Sequence, residues 1–368
     1  MPENQDKKNN KWLKYLAVIG GIIIVLGLIT GGLIYFNLFA APQMKAEAEQ
    51  LTVPLGSGDF SELAKLLKDK GFIKNETGFK IAYFKTMKLD VGTVYRTTCV
   101  DCYTPGAYKI SKSMDAWHIA RTIKRQPYMK WVVIPEGLRK EQIADILGDP
   151  LSLNWSEKQK SDWVTSFTAM QYDHIEGVYF PDTYLIPINA MGLSAQRLVD
   201  KFNEKFAPYS DEALKQNIKW DTLLKIASII QREGTSKDDM PVISAVIWNR
   251  LLVGMKLEID ATVQYARDDI VHYGQVRGDT QPQNYSSAGD WWTPIKPEDI
   301  KNIVSPYNTY QNKGLPPHPI CNPGLEAIDA ALNPAKTDCL YYLHDSDKQI
   351  HCAKTYEEHQ VNIEQYLR

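Results

Sequence analysis

The stretch LLKIASIIQREGTS, Leu223 to Ser236, closes a dense apolar run with a carboxylate. In a helix over 223–233, Glu233 follows Ile230, Ile229 and Ile226 at helical spacing, so its side chain continues the apolar stripe. A carboxyl group there loses hydration, which favours its neutral form, and the partial negative charge of a helix C-terminus acts in the same direction. A carboxylic acid that stays protonated at neutral pH is what a general acid needs to protonate a departing oxygen, as in glycosidic cleavage. The structural alternative is that Glu233 pairs with Arg232 or a more distant arginine and merely closes the helix.

The elements that must position this group can be read around it. LSAQRLVDKFNEKF reads as a helix before it, and DDMPVISAVIWNRLLVG as a helix after it, with Asp238 or Asp239 as N-cap, Pro241 in the first turn and Gly254 just past the end. Asn249 again sets a polar side chain beside the apolar face. KLEIDATVQYA alternates apolar and polar residues and predicts a strand. SPYNTYQNKGLPPHPICNPG lacks periodicity and reads as an irregular segment, and LYYLHDSDKQIHCAKTYEEHQVNI as a hairpin followed by a helix.

Upstream, Val53-Pro54-x-Gly56 with Leu63-Ala64 and Leu67 is echoed by Ile134-Pro135-x-Gly137 with Ile143-Ala144 and Leu147. The echo suggests two related strand-turn-helix modules. Between them DAWHIARTIKR predicts a helix with Trp117, Ile119 and Ile123 as packing positions and His118 at the surface. EGVYFPDTYLIP reads as a turn at Pro181-Asp182 and a hinge into the next domain.

A chain of 368 residues with 44% hydrophobic content can bury more than one core, and a net charge of -2 disfavours a nucleic-acid partner. No charged residue lies between Tyr15 and Met44, and Leu16 to Phe36 is long enough to cross the roughly 30 Å hydrocarbon layer. A cleaved signal is the alternative, but its apolar region runs only about 7 to 15 residues. Lys7, Lys8, Lys11 and Lys14 before the span predict a cytoplasmic N-terminus, with the rest of the chain outside the membrane. Five cysteines in an exported domain permit two disulfides whose connectivity the sequence leaves open. For Cys99-x-x-Cys102, a local disulfide or plain thiols are better readings than a metal site.

ASIIQREG, ISAVIWNRLLVGMKLEIDATVQYA, SPYNTYQNKGLPPHPICNPG and the terminal YYL…H…TYEEH resemble the YceG-like endolytic murein transglycosylases. VPLGSG…LAKLLKDKGFI, PGAYKISKSM, VVIPEGLRKEQIADIL and EGVYFPDTY extend the likeness over nearly the whole exported region, in order and spacing. The resemblance implies an α+β chain with a cytoplasmic tail (1–15), a transmembrane helix (16–37), an N-terminal α+β module (50–125), a LysM-like module and hinge (126–188) and a mixed α/β catalytic domain (189–368). It implies a single-pass protein of the bacterial cytoplasmic membrane. The family's catalytic glutamate falls on Glu233. Its preceding glutamate is Gln231 here, its following threonine Gly234, its Asp-Pro-Thr is Asp260-Ala261-Thr262, and its Pro-Pro-Gly is Pro316-Pro317-His318. The change at Gln231 leaves the implied acid intact but removes a carboxylate two residues before it.

The implied reaction is non-hydrolytic cleavage of the MurNAc–GlcNAc bond of nascent glycan strands, leaving 1,6-anhydro-MurNAc ends and limiting strand length. One carboxylate suffices because the substrate supplies its own nucleophile, unlike the two-carboxylate arrangement of most glycoside hydrolases. Asn249, Arg250, Asp260, Thr262, Tyr307, Asn308, Thr309 and Tyr310 are candidates for holding sugar hydroxyls, acetamido groups or the developing charge. Each also has a structural reading, as ion pair, turn residue or core tyrosine. No cofactor or metal is implied. The family association suggests a penicillin-binding protein or elongation-complex partner. The rival readings are a catalytically inactive, membrane-anchored peptidoglycan-binding or scaffold protein, and a metal hydrolase built on His344, Asp345, His351, Cys352 or His359. The latter lacks a compact HExxH arrangement.

Overall fold

The computed structural model describes residues 6–56, 59–87, 103–150, 152–166, 176–273 and 290–368. The chain divides into two compact units, Met1–Lys130 and Trp131–Arg368. Cys99 and Cys102 lie outside the described residues.

The first unit contains α1 (Asp6–Phe39), β1 (Ala48–Val53), α2 (Phe60–Asp69), α3 (Glu76–Thr86), β2 (Gly106–Ser111) and α4 (Ala116–Lys124), and β3 (Met129–Val133) begins in it. Among the described residues, the stretch Trp12–Phe39 of α1 is the one helix long and apolar enough to cross a membrane. Its apolar side chains face outward, and at 1.5 Å per residue it exceeds the roughly 30 Å hydrocarbon layer. The last turn of α1 docks on the unit. Phe39 stacks on Trp117 at 5.3 Å, and a Cβ on Gly78 would lie 1.9 Å from the Leu38 carbonyl oxygen, so only glycine permits that approach.

Side-chain caps start the three short helices: Asp59 accepts from Ser61 N–H, Asn75 from Gly78 N–H, and Asp115 from His118 N–H. Leu63, Ala64 and Leu67 of α2 and Ile119, Ala120 and Ile123 of α4 turn inward onto Leu51, Tyr108 and Ile110 of the strands. β1 and β2 are antiparallel, from Ala48 opposite Ser111 to Val53 opposite Gly106, and Gly106 and Ala107 also face Lys130 and Met129. The two echoed sequence segments both fold as strand, left-handed glycine and helix, with φ of 88° at Gly56 and 75° at Gly137.

The second unit contains α5 (Lys140–Gly148), α6 (Glu157–Ser166), β4 (Thr183–Pro187), α7 (Met191–Lys215), α8 (Trp220–Glu233), α9 (Met240–Leu252), α10 (Asp260–Tyr273), α11 (Pro297–Asn302), α12 (Leu325–Leu332), β5 (Tyr341–His344), β6 (Ile350–Ala353) and α13 (Tyr356–Tyr366). Helices dominate it, and the chain as a whole is mixed α+β. α8 packs against α7, α9, α10 and α12 and buries Leu223, Leu224, Ile226, Ala227, Ile229 and Ile230 completely. Each fully buried leucine or isoleucine contributes roughly 1.5–3 kcal/mol, so the end of this helix is firmly placed. Ile134, Ile143, Leu147, Trp163, Val178 and Tyr179 belong to the same core, so the described residues of 131–188 fold with the helices that follow them.

One expected element is of the wrong type. KLEIDATVQYA is not a strand: residues 255–259 form no regular element, Glu258 adopts a left-handed φ of 52°, and α10 begins at Asp260. Ala261, Thr262, Val263, Tyr265 and Ala266 are all buried, so the helix is covered on nearly every side and its polar positions do not report an exposed face.

Candidate active site

Glu233 is the last residue of α8, and the backbone turns extended at Gly234, with φ -69° and ψ 135°. Its side chain is half-buried. Tyr342 on β5 donates its phenol hydrogen to Glu233 Oε2 at 2.8 Å, and the Ala261 N–H, in the first turn of α10, also donates to the carboxyl. Burial raises the Glu233 pKa above the ordinary glutamate value, and the negative charge of Asp260 adds to the rise. The bonds from Tyr342 and Ala261 and the nearby His344 oppose it without reversing it. The Arg232 guanidinium stands over the Trp292 ring at 4.1 Å and reaches the Gly137 carbonyl at 3.5 Å, an arrangement that gives it partners other than Glu233.

Asp260, at the start of α10, is exposed, and Tyr310 donates its phenol hydrogen to Asp260 Oδ1 at 2.6 Å. Burial, and then the bond to Asp260, raise the Tyr310 pKa. Glu233, Asp260, Tyr310 and Tyr342 therefore meet where the end of α8, the start of α10, the irregular segment and the hairpin converge. Tyr342 was not singled out in the sequence, and no local pattern marks it: its partner lies 109 residues away.

The other candidate residues engage the protein itself. Asn249 donates to the carbonyls of Thr337 at 2.9 Å and Cys339 at 3.0 Å. Arg250 donates to Leu340 O at 2.6 Å and Leu257 O at 2.5 Å, tying together the approaches to β5 and α10. Thr262 and Thr309 share a hydroxyl–hydroxyl bond at 2.9 Å, and Thr309 accepts from Ile259 N–H at 3.0 Å. Buried Asn308 donates to the carbonyls of Ile300 and Ile303 and accepts from Tyr310 N–H, setting the turn that presents Tyr310. Tyr307 packs on Tyr265 at 4.8 Å between ring centroids.

Gln231 points elsewhere, accepting from Gly324 N–H at 2.9 Å and donating to Glu136. Burial and the charge of Glu326 raise the Glu136 pKa, and the Gln231 amide partly offsets them. Among the described residues no three His, Cys, Asp or Glu side chains converge to hold a metal. His344 pairs with Asp239 at 2.9 Å, His351 with Asp345 at 2.8 Å, and Cys352 forms a disulfide with Cys339. Cys321 is a buried thiol whose sulfur faces Ser228 O.

The disulfide spans 13 residues and encloses β5. Cys352→Ser is expected to cost about 3 kcal/mol through the freer unfolded chain, read as a lower thermal midpoint under non-reducing conditions.

Residues 51–365 match the model of the YceG-like family. The chain belongs to that family. It is 29% identical over 364 residues to an endolytic murein transglycosylase of Bacillus subtilis strain 168, covering 92% of this chain and 91% of that protein. The same-named protein of Streptococcus pneumoniae D39 is 27% identical over 301 residues, with 71% of this chain aligned to 50% of that longer protein. A crystal structure of a YceG-like protein from Listeria monocytogenes superposes with a TM-score of 0.52 at 26% identity, over 86% of this chain and all of that one. The YceG-like match includes α8, α10 and the hairpin, hence every group around Glu233.

Proposed function

We propose that this chain is a membrane-anchored endolytic peptidoglycan transglycosylase, with Glu233 as its catalytic acid and base. The observation that carries the reading is a glutamate biased toward its neutral form by burial, held by Tyr342 and the start of α10, within a chain of the YceG-like family. Glu233 donates its proton to the oxygen linking MurNAc C1 to GlcNAc as the C1–O bond breaks. The resulting carboxylate takes the proton of the C6 hydroxyl of the same muramyl residue while O6 bonds to C1. The products are a 1,6-anhydro end and a free GlcNAc hydroxyl, Glu233 is again protonated, and no water is consumed.

Asp260 and Tyr310 face the substrate in this reading. Asn249, Arg250, Thr262, Tyr307, Asn308 and Thr309 support the elements that carry the site. The apolar α1 serves as the anchor, with the lysine-rich tail in the cytoplasm and both units outside. A LysM-like glycan-holding segment over 126–188, whose core residues from Val132 onward pack with the catalytic helices of 189–368, and a penicillin-binding protein partner complete the proposal.

The test is mass spectrometry of uncrosslinked glycan strands incubated with the full chain in detergent. Interior cuts with 1,6-anhydro-muramyl ends are expected. Reducing ends would mean hydrolysis and sink the mechanism, and folded protein that binds strands without cutting them would favour a scaffold.

A further inference from the structure

Tyr342 is held in place from three sides. β5 pairs with β6, placing Tyr342 opposite Cys352, which is bonded to Cys339. From α9, Asn249 holds the carbonyls of Thr337 and Cys339, and Arg250 holds that of Leu340. The phenol thus reaches Glu233 on a strand clamped both by a covalent link and by side chains of a buried helix. Burial, then the charge and hydrogen bond of Glu233, raise the Tyr342 pKa well above the ordinary tyrosine value. It therefore remains an O–H donor at neutral pH.

We propose that Tyr342 is a positioning residue for Glu233: its donated hydrogen bond makes Oε2 the carbonyl oxygen of the neutral acid and leaves the transferable proton on Oε1. A carboxylic acid has one oxygen that carries hydrogen and one that accepts. With Oε2 committed to the phenol, Oε1 is left to carry the hydrogen. After transfer, the same bond stabilises the carboxylate that must collect the C6 hydroxyl proton. Asn249 and Arg250 then serve the acid indirectly, by fixing the start of β5.

The inference rests on Glu233 being the acid of the proposed reaction. The charged and titratable groups facing that carboxyl are Tyr342 and His344 from β5, Asp260 from α10, Tyr310 from the irregular segment and Arg232 on its own helix. Of these, Tyr342 is the side chain that bonds it directly.

Tyr342→Phe in the full chain keeps the ring and removes only the donor. Its kcat is expected to fall about tenfold with KM nearly unchanged, since a hydrogen bond to a charged group contributes a little over a tenfold factor. The basic limb of its pH–rate profile is expected to move to higher pH, because the lost bond favoured the ionised acid. Tyr341→Phe, whose ring faces Arg250 instead, is the control for general damage to the strand and should leave the profile in place.

Carboxyl-carbon NMR of glutamate-labelled protein, with Glu233→Gln identifying the signal, reads the same titration without substrate. A titration and a profile that superimpose on wild type overturn the proposal. A shifted titration in a protein that makes no anhydro ends would retain the positioning role and reject the reaction.

Discussion

Glu233→Gln is expected to lower anhydro-end formation by about 10³- to 10⁴-fold, the upper part of the range for general acid–base catalysis, because in the proposed reaction one carboxyl group serves both proton transfers. The amide has nearly the same shape and still accepts from Tyr342, so the thermal midpoint should not fall. It is expected to rise at neutral pH. The folded protein binds the Glu233 proton more tightly than the unfolded chain, so the stability this group contributes is fully present below the unfolded pKa. That stability is lost as pH rises through the higher folded value. A neutral glutamine escapes this loss. Wild-type activity should likewise decline as pH rises through the same elevated pKa, since the unprotonated group cannot start the reaction. Residual activity within tenfold of wild type would remove Glu233 from the role.

The position of Glu233 was legible because its pattern is local. An apolar stripe that ends on a carboxylate needs only helical periodicity to be noticed, and Ile226, Ile229 and Ile230 are indeed buried with Glu233 at their end. The boundaries of α9 were legible for the same reason: Asp239 stands at its N-cap position, although its carboxylate bonds Thr235 and Ser236 rather than the helix, proline occupies the first turn, and Gly254 follows with a φ of 68°. The final hairpin and helix also follow their local pattern.

The partners were not legible, since each comes from far along the chain. Tyr342 sits in a strand whose tyrosines look like packing, and Gln231 meets Glu136 and Gly324, which belong to two separate turns. α10 misled in a different way. Leu257 and Ile259 supply strand-like alternation before the helix starts, and the buried Thr262 and exposed Asp260 then reverse the usual meaning of polar and apolar positions. The place of Asp260 beside Glu233 is plain only once Tyr310 and the turn around Asn308 are seen with it.

Arg139→Ala is expected to cost about 3–5 kcal/mol, the usual penalty for breaking a buried ion pair from one side. Arg139, Glu141 and Asp269 are essentially inaccessible to solvent. The guanidinium donates to Glu141 at 3.2 Å, to Asp269, and to the Tyr265 carbonyl at 3.1 Å, and it lies over the Tyr265 ring at 4.0 Å. Removing it leaves two carboxylates in a medium that solvates them poorly.

At about 2–4 °C per kcal/mol for a unit of this size, the thermal midpoint should fall by about 10 °C, measurable by calorimetry. Arg139→Lys keeps the charge but not the planar fork, so it should recover only part of the loss. Replacing all three charged residues with apolar ones of similar volume should recover most of it, because the penalty belongs to carboxylates kept buried without Arg139 rather than to the missing attraction. Asp269 and Tyr265 both lie on α10, whose first turn supplies Asp260 and the Ala261 N–H to the site. The alanine variant should therefore lose activity below its thermal midpoint as α10 loosens, whereas the apolar triple variant should regain stability and activity together. A triple variant as unstable as the single one would show that the network is needed for its specific geometry.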